Sequence, residues 1–243
     1  MQAVGFASTH IGRRQNNEDA FCLAPHLGLY AVADGMGGHE GGEVASRLVI
    51  DSILHFLEQA EDMASSSTGD ALELSGAVRW ATDRVSANAV GALEEMGSTL
   101  AALWVRDGRA VIAHVGDSRV YRMRKGQLHQ LTHDHSMFND LTSQGSAMLA
   151  DLLRDRISHV ITRCISLGCN AEPDVQVTDI EQGDVFLLCS DGLSDVLPHA
   201  EMQRILAENP STEVHGALVE RAYARGGADN ITAVVVAVPS NLD

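Results

Sequence analysis

Apolar residues recur at helical spacing in two stretches of the first hundred residues. Between Gly42 and Gln59 the apolar positions fall three or four residues apart, and they are Ala45, Val49, Ile53 and Phe56. Further along, a similar spacing links Ala77, Ala81, Val85, Ala89 and Ala92. This period places the apolar side chains on one face of an α-helix. The pattern therefore predicts two amphipathic helices.

Short segments rich in Val, Ile, Leu and Tyr follow, and turn residues separate them. They predict strands at 99–105, 110–115, 119–124, 127–131, 175–180, 185–189 and 231–238. Asp107-Gly108 is a hairpin signal, because glycine tolerates the positive φ of a primed turn. We therefore expect the first four strands to form an antiparallel meander. The last segment is almost purely apolar, which is typical of a strand buried on both faces.

Helical patterns separate the later strand segments. A polar, helix-like stretch covers 133–161, and another runs from 199 to 225 with a break at Asn209-Pro210. Runs of helix, then strands, then helix and strand predict an α+β fold in which helices cover antiparallel sheets. A doubly wound parallel sheet is disfavoured, because the central turns are too short for crossover connections. The 243 residues are expected to form one domain, residues 1–243.

The chain is strongly acidic, since 33 Asp and Glu against 17 Lys and Arg give a formal net charge of −16. Such a surface repels polyphosphate, and only 4% of the residues are aromatic, so nucleic-acid binding is disfavoured. No apolar run approaches the roughly 20 residues of a membrane span. His10, Arg13 and Arg14 precede any apolar signal segment. The four scattered cysteines are expected to be reduced thiols, and a cytoplasmic protein is predicted.

Four aspartates stand beside a glycine or an asparagine at the end of a predicted strand. They are Asp34 before Gly35, which follows the further strand segment Tyr30-Ala-Val-Ala33, and Asp117 after Gly116, Asp191 before Gly192 and Asp229 before Asn230. A single pair of this kind is more often a plain turn, and Asp107-Gly108 is interpreted as one. Several carboxylates at one end of a sheet repel one another unless a cation neutralises them. Because oxygen ligands select hard ions, we expect Mg²⁺ or Mn²⁺ and not zinc.

Eight short motifs occur in order along the chain. They are Arg14-Gln-Asn-Asn-Glu18-Asp19, Val32-Ala-Asp34-Gly35-Met-Gly-Gly-His-Glu-Gly-Gly42, Gly97-Ser-Thr99, His114-Val-Gly-Asp117-Ser-Arg119, Leu131-Thr-His-Asp-His-Ser136, Ile161-Thr-Arg163, Ser190-Asp191-Gly192-Leu193 and Gly227-Ala-Asp229-Asn230-Ile-Thr232. In this order they resemble bacterial members of the metal-dependent protein phosphatase family, the type 2C Ser/Thr phosphatases. The resemblance spans residues 5–238, nearly the whole chain.

The resemblance implies a fold and a pair of core metal ions. The family fold is a four-layer αββα sandwich, in which two antiparallel β-sheets are flanked by helices. By resemblance, Asp34 bridges two Mn²⁺ or Mg²⁺ ions and the Gly35 carbonyl joins it on one of them. Asp191 and Asp229 would hold the other ion.

Further residues take supporting roles by the same resemblance. Glu18 would contact a metal directly or through water, while Asp19 and Asn230 would support the ligands from behind. Asp117 resembles the ligand of a third, weaker ion in bacterial relatives, which would share Asp191. The implied cofactors are therefore two core ions and, in bacterial relatives, a third.

The activity that the resemblance implies is metal-dependent hydrolysis of phosphoserine and phosphothreonine in proteins by a metal-bridged water. Two cations roughly 3.5–4 Å apart lower the pKa of a shared water and orient it for attack on phosphorus. Arg14 is the candidate phosphate-binding residue, since a guanidinium grips two phosphate oxygens at once. Many eukaryotic relatives carry His directly after the Asp-Gly pair, where this chain has Met36. His39 is a candidate general acid, and a metal-bound water is the alternative.

The segment at about 134–159 corresponds to the family's flap. Its apolar side chains form a stripe beside charged residues, and the stripe comprises Met137, Phe138, Leu141, Met148, Leu149 and Leu152. One interpretation is a helix pair packed on the sheet. The other is a mobile element that screens substrate or product.

The partners that the resemblance implies are phosphoproteins. Stand-alone bacterial relatives commonly oppose a eukaryotic-like Ser/Thr kinase, and some regulate secretion systems through a kinase and its forkhead-associated substrate. We expect a partner of this kind, no nucleic acid, no membrane and a monomeric chain. The alternative is a dedicated switch module of the same fold, which acts on one regulatory phosphoprotein.

Overall fold

The computed structural model describes residues 3–37, 41–62, 69–169 and 171–239. Its strands are β1 (Val4–His10), β2 (Asp19–Ala24), β3 (Leu29–Met36), β4 (Gly97–Ser98), β5 (Leu100–Arg106), β6 (Arg109–Val115), β7 (Arg119–Arg124), β8 (Gln127–Gln130), β9 (Ile165–Ser166), β10 (Asp174–Asp179), β11 (Val185–Cys189) and β12 (Ile231–Ala237). Its α-helices are α1 (Gly41–Asp62), α2 (Asp70–Asn88), α3 (Met137–Ser143), α4 (Ala147–Ile157), α5 (Asp191–Ser194), α6 (His199–Glu208) and α7 (Val214–Ala224).

The strands form two antiparallel sheets. The first sheet has five strands in the order β1-β12-β11-β7-β8. The second has seven, with β10-β6-β5-β3-β4-β9 in line and β2 paired to β3. Strand pairing in both sheets is antiparallel throughout. β1 and β12, the first and last strands of the chain, are neighbours in the first sheet. Residues far apart in sequence therefore meet at the same end of that sheet.

Apolar side chains pack in three layers. Between the sheets lie Tyr30, Leu103, Ile112, Phe186 and Val234. The helices α1 and α2 cover the outer face of the seven-stranded sheet, through side chains such as Ile53, Val78 and Trp104. The helices α6 and α7 cover the five-stranded sheet, through side chains such as Ile205, Leu218 and Leu187. This order of helix, sheet, sheet and helix confirms the αββα sandwich.

The expected four-stranded meander is wrong at its middle connection. Asp107 and Gly108 have φ of 49° and 76°, so the β5–β6 hairpin has its predicted primed turn. However, β6 and β7 lie in different sheets. The chain crosses between them at Gly116, whose φ is 101° and where a Cβ would lie 2.6 Å from Thr99 Cγ2. Glycine marks a hairpin and a crossover alike, so the sequence pattern does not separate the two.

Most other predicted elements are confirmed. The two amphipathic helices are α1 and α2, and the later helical stretch divides into α6 and α7 at Asn209-Pro210. The terminal strand β12 is buried from Ile231 to Val236. The strands β1 and β2 were not predicted, because neither contains an apolar run: β1 has no buried side chain, and β2 buries only Cys22 and Ala24. No helix among the described residues is long and apolar enough to cross a membrane.

The flap forms the helix pair α3 and α4, but its apolar stripe does not pack on the sheet. Met148 is 88% exposed and Leu152 is 81% exposed, and Leu149 and Met137 are also exposed. The apolar side chains of α4 that are buried are Ala150 and Ile157. The flap thus contains the helix pair of the first interpretation, but four of the six side chains of its stripe are exposed, and Phe138 and Leu141 are half-buried.

Candidate active site

Most of the predicted site residues line a single cleft. Its volume is about 470 Å³. The predicted residues in its wall are Arg14, Glu18, Asp34, Gly35, Asp191, Asp229 and Asn230. They come from positions up to 216 residues apart in sequence, since 230 − 14 = 216. The fold thus assembles at one end of the sandwich a set of groups that the sequence distributes over the chain.

Each of the three central aspartates sits at the end of a strand. Asp34 belongs to β3 and lies opposite Asp19 of the neighbouring strand β2. Asp191 opens the short helix α5 directly after β11, and Asp229 comes just before β12. Because β11 and β12 are neighbours in the first sheet, the last two carboxylates meet there. Strand ends are rigid supports, which suits a site that must hold its geometry.

Close backbone packing shapes the wall around Glu18. The Glu18 carbonyl accepts hydrogen bonds from Gly35 N (3.1 Å) and Ser46 Oγ (2.6 Å). A Cβ on Gly35 would lie 2.0 Å from the Gly42 carbonyl oxygen, and a Cβ on Gly42 would lie 2.5 Å from Glu18 Oε2. Only glycine fits at either position without a shift of its neighbours. The Glu18 carboxylate therefore occupies the space that the side chain of residue 42 would fill.

A hydrogen-bond network behind the cleft links its loops. Asn230 Oδ1 accepts from Glu18 N (2.8 Å), and its Nδ2 donates to the carbonyls of Ile11 and Asn16, both at 2.9 Å. On the other side, Ser190 Oγ donates to Asp19 Oδ2 (2.8 Å). Asn230 thus connects the Glu18 backbone to the carbonyls of Ile11 and Asn16, and Asp19 is connected to Ser190.

Asp34 is held by a reciprocal pair of bonds to the neighbouring strand. Its N–H donates to Thr99 Oγ1 and the Thr99 N–H donates to its carbonyl, both at 2.9 Å. Thr99 Oγ1 is also 2.7 Å from Ser118 Oγ. This explains the Gly97-Ser-Thr99 motif, because Thr99 fixes the backbone of the central aspartate and links it to the loop after β6.

Burial raises the pKa of Asp34 and Asp191 in the cleft and of the neighbouring Asp19. Desolvation and the charges of Asp19, Asp191, Asp117 and Asp229 raise the pKa of Asp34 well above its ordinary value. Desolvation first, and neighbouring carboxylates after it, raise the pKa of Asp19 to about 7 and that of Asp191 to about 6. Excess negative charge of this kind is what a bound cation would offset.

The donor atoms fit hard divalent cations. Asp19 Oδ1, Asp117 Oδ1 and Asp191 Oδ1 are buried without a hydrogen-bond partner among the described residues. Buried polar atoms are normally paired, so these oxygens are available to an ion or its water shell. The lining offers carboxylate and carbonyl oxygens, which Mg²⁺ and Mn²⁺ prefer. The residues present therefore fit the metals that the sequence predicted.

Asp117 lies beside the cleft and not in its wall. It is buried and lines an adjoining cavity of about 360 Å³ with Arg119, Asp134 and Asp195. Desolvation, and then the charge of Asp191, raises its pKa to about 8. Asp117 is therefore close enough to Asp191 to interact, as expected if they share a third ion.

Arg14 contacts one of the predicted ligands. Its Nη2 donates to Asp229 Oδ2 at 2.7 Å, and this ion pair raises the pKa of the guanidinium. The side chain is more than half exposed at the mouth of the cleft. Its other N–H groups make no hydrogen bond in the described part of the chain, so they are available to phosphate oxygens.

Two sequence expectations have different outcomes here. His39, the candidate general acid, lies outside the described residues. Met36 lines the cleft at the position where many eukaryotic relatives have His.

His159, at the end of the flap, also lines the cleft. The sequence analysis missed it, because a single histidine in a polar helical stretch carries no sequence signal.

A second group of potential metal ligands lies outside the cleft. Among the described residues, His114, His135 and Asp174 form the one trio whose ligand atoms lie within 4.8 Å of one another. However, Gly116 N donates to His135 Nδ1 and His135 Nε2 donates to Asp174 Oδ2, both at 3.1 Å. Since both nitrogens of this ring are engaged, the trio supports the loop that carries Asp117.

Comparisons with known proteins identify a family that covers most of the chain. A family model described as protein phosphatase 2C matches residues 7–230. The serine/threonine protein phosphatase PstP of Mycobacterium tuberculosis is 36% identical over 228 residues, which are 93% of this chain and 43% of that protein. The chain thus spans less than half the length of this relative. The serine/threonine phosphatase stp of Listeria monocytogenes is 31% identical, with 92% of this chain and 90% of that protein covered.

Solved structures match over nearly the whole chain. The M. tuberculosis phosphatase PstP/Ppp gives a TM-score of 0.87 at 34% identity and covers 98% of this chain and 99% of its own. The catalytic domain of PstP in complex with two manganese ions gives 0.82 at 34% identity, with 98% and 100% covered. PppA, described as a key regulatory component of the T6SS in Pseudomonas aeruginosa, gives 0.79 at 30% identity, with 98% of each chain covered.

Proposed function

Because the chain belongs to the protein phosphatase 2C family, we propose that it is a Mn²⁺- or Mg²⁺-dependent phosphatase that hydrolyses phosphoserine and phosphothreonine in proteins. The observation that carries this proposal is the convergence of Asp34, Asp191 and Asp229 on one cleft beside Arg14. A catalytically inactive binding domain would not need to retain this set of buried carboxylates. The two manganese ions in the similar PstP catalytic domain support the choice of metal.

The metal ligands in this proposal are the cleft oxygens. Asp34 would bridge two ions with the Gly35 carbonyl on one of them, while Asp191 and Asp229 would hold the other. Glu18 would act directly or through water. The raised pKa values of Asp34 and Asp191 support this assignment, since a site that resists ionisation when alone gains most from a cation.

The reaction divides between the bound ions and the chain. Two divalent ions would supply a water nucleophile of lowered pKa and positive charge near the phosphoryl oxygens. Arg14 would bind the phosphate through the N–H groups that Asp229 does not use, and hold it in line for attack. Its ion pair with Asp229 fixes the guanidinium at the cleft mouth. These two residues would thus place the substrate relative to the ligands.

Asp117 would hold a third ion with Asp191. Support comes from its unpartnered, buried Oδ1 and from its charge interaction with Asp191. Because it lies in the adjoining cavity, this ion would stand at the side of the cleft that borders the flap.

The substrates in this proposal are phosphoproteins of a Ser/Thr kinase pathway. The proposed partners are a kinase and its forkhead-associated substrate, and PppA, described as a key regulatory component of the T6SS in Pseudomonas aeruginosa, supports a role in regulating a secretion system. The second candidate is a switch module dedicated to one regulatory phosphoprotein. A panel of phosphopeptides separates them, because a general phosphatase hydrolyses many and a dedicated module hydrolyses none or one.

We also propose a cytoplasmic, monomeric protein. No disulfide joins the cysteines within the described residues, which suits a reducing compartment.

The test is phosphate release from phosphoserine, phosphothreonine and phosphotyrosine peptides with Mn²⁺, with Mg²⁺ and with EDTA. We expect release from the first two peptides, dependence on metal, and loss in Asp191→Asn. Release that persists in EDTA, or equal release by Asp191→Asn, would contradict the proposal.

A further inference from the structure

Two cysteines lie within contact distance of each other in the segment that follows the flap. Cys164 stands directly before β9, and Cys169 stands three residues after it. Their sulfur atoms are 3.0 Å apart, and both residues are thiols. The length of a disulfide bond is about 2.05 Å, so the two sulfurs would have to approach by only about 1 Å to form one.

The turn after β9 brings the second cysteine back to the first. Leu167 and Gly168 make this turn. Gly168 has a φ of 75°, a conformation that glycine adopts without strain. Both residues of β9 pair with β4, which holds the strand in place before the turn. The path of the backbone therefore sets the distance between the two cysteines.

The hydrogen bonds of the pair give the two sulfurs different roles. Cys164 Sγ donates to Cys169 Sγ, and Ser166 Oγ lies 3.2 Å from Cys164 Sγ. Desolvation first, and then the bond to Cys169, raises the pKa of Cys164 to about 11. Cys164 therefore keeps its proton, and its S–H group favours a thiolate on Cys169. Because the thiolate is the nucleophilic form of cysteine, we expect Cys169 to react first.

Small reagents can reach this pair, whereas the other two cysteines are shielded. Cys169 lines a surface cavity of about 300 Å³, which Arg79 and Glu172 also border. Cys22 and Cys189 are instead buried in the cores beneath the helices. Burial raises the pKa of Cys22 to about 11 and that of Cys189 to about 12. An oxidant in solution should therefore act on Cys164 and Cys169 and spare the other two.

We propose that Cys164 and Cys169 are a modification site, at which hydrogen peroxide oxidises the two thiols to a reversible disulfide. The Cys169 thiolate attacks one peroxide oxygen, the O–O bond breaks, and the other oxygen takes up a proton and leaves as water. Cys164 Sγ then attacks the sulfenic acid on Cys169. The S–O bond breaks, and the proton of Cys164 leaves with the second water. Two electrons thus pass from the two sulfurs to the peroxide, and a dithiol reductant reverses the reaction.

The disulfide would restrict a segment that joins the flap to the cleft. Ile161, three residues before Cys164, lines the cleft. On the other side β9 pairs with β4, which pairs in turn with Gly35 and Met36 of β3. A cross-link around β9 limits the conformations that this segment adopts when it opens. Amide hydrogens of residues 165–168 should therefore exchange more slowly in the oxidised chain.

The test maps the bond in the full chain. Wild type is treated with hydrogen peroxide, with EDTA present to prevent metal-catalysed oxidation, and catalase then removes the peroxide. The protein is unfolded in iodoacetamide and cut with trypsin and with a protease that cleaves before aspartate. Cuts after Arg163 and before Asp174 release residues 164–173, which contain both cysteines.

We expect this fragment to carry no alkyl group and to be lighter than the dithiol by two hydrogen atoms. Dithiothreitol, added before the iodoacetamide, should restore alkylation at both cysteines. Cys22 and Cys189 should be alkylated with and without peroxide. Hydrogen exchange of the reduced and oxidised chains, measured by mass spectrometry, checks the restriction of residues 165–168.

Three variants test the two roles in the pair. Cys22→Ala is the matched control and should form the same disulfide as wild type. Cys164→Ser should form none, and its Cys169 should carry sulfenic or sulfinic acid. Cys169→Ser should leave Cys164 reduced, because that thiol keeps its proton.

The contrary outcomes are equally specific. Full alkylation of the wild-type fragment after peroxide, or a disulfide from Cys169 to Cys22 or Cys189, would overturn the proposal. Equal hydrogen exchange at residues 165–168 in the reduced and oxidised chains would overturn the proposed restriction of β9. None of these measurements uses phosphate release, so failure of this proposal is distinguishable from failure of the proposed function.

Discussion

Asp34 stands at the centre of the charge distribution in the cleft. Four other carboxylates act on it, and together with desolvation they raise its pKa well above the ordinary value. Asp117, Asp19 and Asp191 show the same effect to different degrees. Since these groups resist ionisation, the metal-free protein holds protons that the unfolded chain would release. The carboxylates thus destabilise the metal-free fold at high pH and are available for a cation.

The stability of the metal-free protein should therefore fall as pH rises through the neutral range. The pKa values of Asp19 and Asp117 are about 7 and about 8 in the folded protein, against 3.8 ordinarily. The folded state binds more protons than the unfolded state between these limits, so stability is lost as pH rises through the folded values. With EDTA present, we expect a higher Tm at about pH 7 than at about pH 8.5. Asp117→Asn should flatten this dependence, and a Tm that rises over this interval would contradict it.

Asp34→Asn should separate catalysis from stability. The amide lacks the charge that metal binding needs, so Mn²⁺-dependent phosphate release should fall to background. In EDTA the same change removes repulsion within the cluster, so Tm should equal or exceed that of wild type. Thermal melts and phosphate release on the same samples check both parts. Near-normal turnover in Asp34→Asn would show that the ligand assignment is wrong.

Arg14→Ala should act on substrate binding more than on metal binding. A charge-assisted hydrogen bond contributes about 1.5–3 kcal/mol, so KM for a phosphopeptide should rise by about tenfold or more. The change also releases Asp229 from its ion pair, so the Mn²⁺ concentration for half activation should stay equal or fall. Arg14→Lys keeps the positive charge but loses the two parallel N–H donors of the guanidinium, so its KM should lie between those of wild type and Arg14→Ala. An unchanged KM would remove Arg14 from the phosphate site.

At the level of elements, close packing at one short turn brings two predicted metal ligands, Asp191 and Asp229, together. The helix α5 begins at Asp191, and the next residue, Gly192, packs against the loop before β12. A Cβ at Gly192 would lie 2.0 Å from the carbonyl oxygen of Asn230 and 3.3 Å from Asp229 Cβ. The absence of a side chain at this one position allows the two loops to approach, and with them Asp191 and Asp229.

Gly192→Ala should therefore disturb both the fold and the metal site. The clash is with backbone, which cannot rotate away, so we expect a loss of about 2–3 kcal/mol in the free energy of unfolding and weaker Mn²⁺ binding. Gly216→Ala in α7 is the matched control, since its nearest atom, Ser8 Oγ, is 3.9 Å from the added Cβ. That change should be neutral or stabilise by about 0.5–1 kcal/mol through helix propensity. Equal effects of the two substitutions would refute the close-packing argument.

The elements also show what the sequence can and cannot predict. Apolar periodicity predicted α1, β7 and β11 closely, because each buries a face or a whole strand. The second helix was predicted too far along the chain, since α2 begins at Asp70 and ends at Asn88, before Ala89 and Ala92. It failed at the connection from β6 to β7, since the local pattern does not record which sheet a strand joins. Pairing depends on contacts between residues distant in sequence, and those are absent from a local window.

The residues of the candidate active site were likewise predicted only in part. Asp34, Asp191 and Asp229 follow from strand ends and from motif order, and the fold brings them to one cleft. His159 was not predictable, because it reaches the cleft only through the arrangement of the flap against α5. The ion pair between Arg14 and Asp229 was missed for the same reason, since it joins residues 215 apart in sequence.

For the whole molecule, the net charge of −16 acts on substrates before they reach the cleft. An acidic surface attracts basic peptides and repels acidic ones, over distances set by ionic strength. Arg14 and bound cations would make only the cleft itself favourable for phosphate. The long-range field therefore selects among phosphoproteins by the residues that flank the phosphorylated side chain.

Phosphopeptides with Lys and Arg flanks should thus be better substrates than those with Asp and Glu flanks. At low salt we expect kcat/KM to differ by about tenfold or more, and the difference should shrink as salt rises toward 1 M, where screening shortens the field to about 3 Å. Peptides with uncharged flanks should give an intermediate kcat/KM, and that value should change least with salt concentration. A preference that ionic strength leaves unchanged would point to local contacts in place of the overall charge.

The proposed activity depends on divalent cations in the carboxylate cleft. The measurement that tests it most directly is a calorimetric titration of the chain with Mn²⁺, with phosphate release from a phosphothreonine peptide followed in the same samples. We predict at least two Mn²⁺ sites per chain, with activity rising as they fill, and loss of both binding and activity in Asp34→Asn. Unchanged Mn²⁺ binding by Asp34→Asn, or full activity of wild type before Mn²⁺ is added, would contradict the account.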